Sequence, residues 1–265
     1  MITLFGMPSA GGLKQLSPYV VKVEMALRYL NAEYKIQSVD PWKIGKLSPN
    51  GKVPWIKIDD LELGESDVII EHLVKLYKSD LLVSLSTDDQ LLGTALKRLT
   101  EKNLYWHMVW SKFMTSESRE EIIGCFFSRY PKFIQKFVSK STIRTHISFS
   151  KVHEVGNLSE ARRNAEATAD LMTLSRQLEK DDFLLGPEIT VFDFSIAAML
   201  ASILFHTPKT WLTVLAESYP VVPDYLARVS DRLGGFPFTR SEPTPKGQRK
   251  SSLNYLQLEI FDPSA

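Results

Sequence analysis

The stretch Gly51-Lys52-Val53-Pro54-Trp55-Ile56-Lys57-Ile58-Asp59-Asp60-Leu61-Glu62-Leu63-Gly64-Glu65-Ser66 leaves this chain few ways to fold. Ile56 and Ile58 alternate with Lys57, and Leu61 and Leu63 with Glu62, at the period of a strand with one buried face. Asp59-Asp60 between them suits a two-residue hairpin turn. Pro54 opens the first strand, where a missing N–H does little harm. Val53-Pro54 is a candidate cis bond, because a turn before a strand is where such bonds are kept. Ser66 then caps a helix over 67–77, with Ile69, Ile70, Leu73, Val74 and Tyr77 on one stripe.

The flanking sequence extends this into a layer. Ile2–Gly6 reads as a buried first strand, and Met7–Leu16, holding Pro8, Gly11 and Gly12, as a loop. Ser17-Pro18 starts a helix to about Leu30, Ser as N-cap and Pro at the first helical position. Glu33–Val39 is a second strand, and strand–helix–strand makes the two parallel. Asp40–Asn50, with Pro41, Gly45 and Pro49, is a loop. The order is β-α-β-β-α.

Ser79–Asp89 is short and polar, a linker. Beyond it the pattern predicts helices over 90–113, over 118–138 with a break at Pro131, and over 158–178; Ser139–Ser150 reads as irregular. Thr190 is an N-cap with Asp193 at the third helical position, and Ile189 and Phe194 flank it as a hydrophobic staple. The helix that follows, 191–205, is apolar on nearly all sides and so belongs in a core. Helices over 211–217 and 222–233 complete the set. From Phe236 the composition shifts to Pro, Ser, Lys and Arg, the mark of a flexible tail, with an apolar stretch at Leu253–Phe261 able to dock back. The expected organisation is 1–79, 89–235 and a tail over 236–265.

K-V-P-W-I, a hairpin, then G-E-S-x-x-I-I resembles the glutathione-binding half of the glutathione S-transferase (GST) superfamily. The resemblance spans roughly Met1 to Gly235. It implies an α/β thioredoxin-like N-terminal domain followed by an all-α GST C-terminal domain, often paired as two-fold dimers. It also implies a glutathione site at Lys52, Val53, Pro54, Glu65 and Ser66. The chemistry is consistent with that. The backbone of Val53 can pair with an extended peptide as an added strand. The Glu65 carboxylate suits an ammonium, and Ser66 at a helix start suits a carboxylate. Glutathione's γ-glutamyl end carries both. The bland alternative is Ser66 as a plain N-cap and Glu65 as a solvated acid.

A transferase of this kind must hold glutathione's thiol as a thiolate. Lowering its pKa from about 8.5 to about 6.5 takes roughly 2.7 kcal/mol. A helix N-terminus gives about 0.3–1 kcal/mol, up to about 2 when partly buried. A hydroxyl donating to a charged acceptor gives about 1.5–3 kcal/mol. Ser17 offers both, against the plain alternative of an N-cap; Ser9 is the reserve. Ser17-Pro18-Tyr19 resembles the Cys-Pro-Tyr/Phe of thiol-transfer classes, with Ser at the reactive position, so no mixed disulfide can form there. Phe5 stands where a tyrosine-type member has its Tyr.

Tyr105, Trp106 and Trp110, close together on one predicted helix, are the candidate second-substrate pocket; an aromatic stripe at helical spacing is more often a mark of core. His107 and His153 lack any metal or triad pattern, and no metal is expected. Cys125, the one cysteine, excludes an intramolecular disulfide and reads as a buried small hydrophobe. Net charge is +1, so no overall field recruits nucleic acid, and no basic stripe stands out ahead of the tail. The longest apolar run, Phe194–Phe205, is too short to cross a bilayer, and the N-terminus lacks a signal peptide's pattern. A cytoplasmic location is the expectation.

Other segments resemble the failed-axon-connections and metaxin-like branch: Leu104–Trp110, His153-Glu154-Val155-Gly156, Phe183-Leu184-Leu185-Gly186 and the long loop before Ser17. That branch includes members without demonstrated chemistry. Two readings follow. One is a serine-type transferase passing the glutathione thiol to an apolar electrophile; the other is a non-catalytic, metaxin-like interaction module.

Overall fold

The computed structural model describes residues 1–79, 81, 85–127 and 130–240. Strand β1 (Ile2–Gly6) leads through the loop to helix α1 (Pro18–Tyr29) and strand β2 (Tyr34–Ser38). A 3-10 turn at Pro41–Lys43 and a short α2 (Ile44–Leu47) precede strands β3 (Trp55–Ile58) and β4 (Leu61–Gly64) and helix α3 (Ser66–Leu76). The sheet order is β2-β1-β3-β4. β1 and β2 are parallel, Leu4 opposite Ile36, while β1 and β3 run antiparallel, Leu4 opposite Ile56. Parallel pairing follows from the α1 crossover, antiparallel pairing of β3 with β4 from the Asp59-Asp60 turn. Asp59 takes a positive φ of 52° there, as a tight hairpin turn requires.

The rest is helical, and among the described residues the only other β pairing is isolated bridges outside the sheet. α4 (Thr87–Arg98) runs through a π turn at Leu99–Leu104 into α5 (Tyr105–Met114). Ser86 caps α4, its hydroxyl accepting from the Asp89 N–H at 3.1 Å. α6 (Ser116–Phe127), α7 (Lys132–Val152), α8 (Glu160–Leu178), α9 (Val191–Leu204), α10 (Trp211–Glu217) and α11 (Val221–Arg232) follow. The thioredoxin-like half and the all-helical half thus stand in the expected order.

α9 is the central helix. All its residues except Val191 and Leu204 are buried, as an all-round apolar sequence demands. It packs on α1 of the first half and on α4, α10 and α11 of the second. Asp193 ties its N-terminus down. Its carboxylate accepts from the Thr190 N–H and hydroxyl, both at 2.8 Å, from the Leu184 N–H and from the Tyr225 hydroxyl, both at 2.9 Å. Burial pushes this carboxyl's pKa up against the pull of those donors.

Two expectations are corrected. Ser139–Ser150 is helical, the second half of α7. Its Ser, Thr and Ile content is poor for an isolated helix, but contacts with α5 and α6 supply what propensity lacks. Phe236 and Phe238, where composition suggested a tail, are buried in the main core. The Lys14 N–H donates to Phe238 O and the Arg240 N–H to Gly12 O, each at 3.1 Å, so 236–240 is strapped to the first loop. The remaining tail residues, 241–265, lie outside the described residues, as do most of 80–84.

Candidate functional site

Glu65 and Ser66 sit at the start of α3, with Glu65 just outside it and Ser66 at its first position. Glu65 has φ 66°, a left-handed backbone that a non-glycine residue adopts at a cost. One polar contact fixes its side chain: Asn50 Nδ2 donates to Glu65 Oε1 at 3.0 Å. Ser66 is buried, while Glu65 is exposed. Val53 lies beyond the end of the β3–β4 ladder, whose last pair is Trp55 with Gly64. Its peptide with Pro54 is cis, as expected. Main chain not spent on the sheet therefore borders the acid-and-hydroxyl pair.

The loop that carries Lys52 is ordered by its own polar groups. Ser48 Oγ donates to Lys52 O at 2.6 Å, and the Lys52 N–H donates to Asn50 Oδ1 at 3.2 Å. Asn50 thus connects the Lys52–Val53 backbone to Glu65. The sequence reading missed it, although Ser48-Pro49-Asn50-Gly51 is the composition of a side-chain-braced turn.

Ser17 stands at the N-cap of α1 with extended backbone, and its side chain makes no capping hydrogen bond. The hydroxyl is not consumed by the helix it precedes. Ser9, by contrast, donates to Lys14 O at 2.7 Å and is engaged within its loop. Phe5 lies flat on Trp55, centroids 4.5 Å apart.

Behind both helix starts lies a charged cluster that the sequence did not reveal. Lys22 of α1 is buried and donates to Asp67 at 2.5 Å and to Glu101 at 2.7 Å. Lys97 of α4 reaches the other Asp67 oxygen at 2.7 Å. Burial raises the Asp67 carboxyl, but Lys22, and then Lys97, outweigh it and hold its pKa below the ordinary range. The Tyr19 hydroxyl donates to Glu101 O at 3.1 Å. The two halves are joined directly beneath the first turns of α1 and α3. No spacing rule links residues 45 and 79 positions apart, so only the structure could assemble them.

The aromatic trio of α5 meets three different neighbours. Trp106 stacks on His153 at 3.8 Å and Trp110 lies under the Arg163 guanidinium at 4.1 Å. Those contacts join α5 to the end of α7 and to α8. Tyr105 meets Tyr19 of α1 at 5.2 Å, and burial pushes its pKa up to about 12. Trp106 and Trp110 sit one turn apart on α5 and are both half-buried. Cys125 is half-buried and in contact with Arg240 and Glu121; burial raises its pKa. Among the described residues no cluster of His, Cys, Asp or Glu could hold a metal ion.

A thioredoxin-like layer with a polar helix start beside free main chain, followed by a helical domain around a buried central helix, defines the GST architecture. The glutathione S-transferase N-terminal domain family matches residues 18–118. An isoprene-epoxide–glutathione S-transferase from Rhodococcus sp. (strain AD45) is 28% identical over 237 residues, covering 86% of this chain and 98% of that one. Failed axon connections from Drosophila melanogaster is 25% identical over 232 residues, 83% of this chain but only 55% of that protein. A glutathione S-transferase structure from Rhodospirillum rubrum F11 shares the fold at TM-score 0.58 and 19% identity, covering 92% of this chain and 94% of that one. The domain match, the two relatives and the shared fold together support the glutathione S-transferase superfamily.

Proposed function

We propose that this protein binds glutathione along Val53 and at the start of α3, and transfers its thiol to a small apolar electrophile. Glu65 takes the γ-glutamyl ammonium, Ser66 with the α3 N-terminus takes the adjacent carboxylate, and the Val53 main chain, set between Lys52 and Pro54, pairs with the peptide. Ser17 donates its hydroxyl to the sulfur and, with the N-terminus of α1, stabilises the thiolate. The observation that carries the reading is Glu65: a carboxylate on a left-handed backbone, its side chain steadied by Asn50, next to a helix start, with little structural use of its own.

The isoprene-epoxide relative supports an epoxide as the electrophile. The sulfur lone pair would form a bond to a ring carbon, the C–O bond would break, and the alkoxide would take a proton from water. The contacts of Trp106 and Trp110 give no support to a second-substrate pocket there, and Tyr105 alone of the three faces α1. We place the protein in the cytoplasm as a homodimer, with domains at 1–79 and 89–235. Exposed Leu61 on β4, Val68 and Leu76 on α3 and Leu91 on α4 are apolar surface that a second copy would cover.

The second reading, a non-catalytic interaction module, is favoured by the likeness to Failed axon connections. A thermal-shift titration with glutathione separates the two. Ligand at a hundredfold excess over Kd adds about 2.7 kcal/mol of stability, whereas a flat curve favours the module. Ser17→Ala then tests the chemistry: glutathione still raises Tm, and conjugation of an epoxide slows about tenfold or more. Conjugation at the unaltered rate removes Ser17 from its role.

A further inference from the structure

The net charge of +1 conceals a segregation. From Tyr130 to His153 the chain carries Lys132, Lys136, Lys140, Arg144 and Lys151 and no Asp or Glu. From Pro41 to Ile58 it carries Lys43, Lys46, Lys52 and Lys57, again with no acid. Because 139–150 is helical, the cations of the first segment fall into line. Phe133, Phe137, Lys140, Arg144 and Lys151 recur at steps of four, three, four and seven along α7, so they share one stripe. That stripe faces outward: Phe133 is 72% and Phe137 70% exposed.

The second segment reaches the entrance to α7. Trp42 meets the edge of Phe127 at 5.6 Å, and Phe127 meets Tyr130, at the entrance to α7, at 6.1 Å. Trp42 is itself 58% exposed and Leu47, five residues on, 55%. Aromatic and aliphatic groups from two distant segments therefore lie exposed among lysines. Among the described residues the salt bridges of these segments are confined to Lys57.

We propose that this surface docks on an anionic phospholipid bilayer. The charge is complementary to acidic headgroups, and the stretch free of carboxylates removes the repulsion that would oppose approach. Phe133, Phe137, Trp42 and Leu47 supply the apolar groups that enter the headgroup–acyl boundary, while lysine stems run up beside them. α7 is roughly 31 Å long at 1.5 Å per residue, enough to lie flat as an interfacial helix. Two phenylalanines on an outward-facing helix stripe suit the headgroup–acyl boundary, whereas single-stranded nucleic acid is taken in a basic groove and an acidic protein needs a hydrogen-bonded rim, which favours lipid.

Flotation of the full-length chain with vesicles tests this. At 100 mM NaCl the chain floats with 70:30 phosphatidylcholine–phosphatidylserine vesicles, does not float with pure phosphatidylcholine, and is released at 500 mM NaCl. Lys136→Glu/Lys140→Glu and Phe133→Ser/Phe137→Ser each cut partitioning about tenfold or more. All four side chains are exposed, so circular dichroism melts of both variants match the parent. Equal partitioning to both vesicle types, no flotation, or full flotation of the charge-reversed variant overturns the proposal. So does binding of a single-stranded oligonucleotide or of polyglutamate by a chain that ignores the vesicles.

Discussion

Two helix starts in this molecule use the same pair of functional groups and put them to opposite ends. At α9, Thr190 and Asp193 are buried, and Asp193 accepts four hydrogen bonds from its own chain. At α3, Glu65 is exposed with a single donor, Asn50, and makes no capping hydrogen bond. A hydroxyl and an acid at a helix N-terminus can close the fold or wait for a ligand. Which of the two occurs depends on whether the surroundings satisfy the carboxylate. Burial with donors on every side makes it a rivet; exposure beside unpaired main chain leaves it free to bind an ammonium.

The contrast breaks most visibly at Asp193. Asp193→Ala orphans the Tyr225 hydroxyl and the Leu184 N–H, and urea unfolding should show a loss of about 3–5 kcal/mol. A variant that unfolds within about 0.5 kcal/mol of the parent would mean the closed start contributes nothing.

Acid sharpens the same contrast, because the helical half holds its polar groups buried. Burial, aided by Lys112, lowers the His206 pKa to about 2. Burial lowers His107 to about 4, with Glu166 opposing it. Both stay neutral in the fold and charge in the unfolded chain below about 6.5. The unfolded state then binds more protons, so stability is fully present above pH 6.5 and falls with pH. At pH 5 the loss is about 2 kcal/mol per histidine. His206→Asn should flatten the profile between pH 7 and 5; an unchanged slope would remove His206 from the account.

At the open start the effect moves from stability to binding. Glu65→Gln should leave the melting temperature of the unliganded protein within about a degree. Calorimetry should show glutathione affinity weakened roughly 10- to 100-fold, the equivalent of about 1.5–3 kcal/mol. The smallest effect pairs the two starts. Thr190→Ala costs about 0.5–2 kcal/mol of stability, and Ser66→Ala costs less than that while weakening glutathione.

Much of this was legible beforehand because its signals are local. The hairpin at Asp59-Asp60, the cis Val53-Pro54 bond, the helix start at Ser66 and the box at Thr190–Asp193 are written within a few residues of one another. Where local signals were poor, reading failed. Serine and threonine in 139–150 disguised a helix that its neighbours stabilise, and with it the basic stripe. Proline and lysine after 235 disguised two buried phenylalanines. Trp106 and Trp110 were placed on one helix face, but the sequence could not say what that face meets.

By itself, then, the sequence determined the order of elements, the positions of the helix starts and which groups stand at them, because propensity, turn chemistry and periodicity act over a few residues. Tertiary structure alone decided which start is closed and which stays open, and brought Lys22 between Asp67 and Glu101. Satisfaction of a buried polar group depends on partners far along the chain, and only packing selects them.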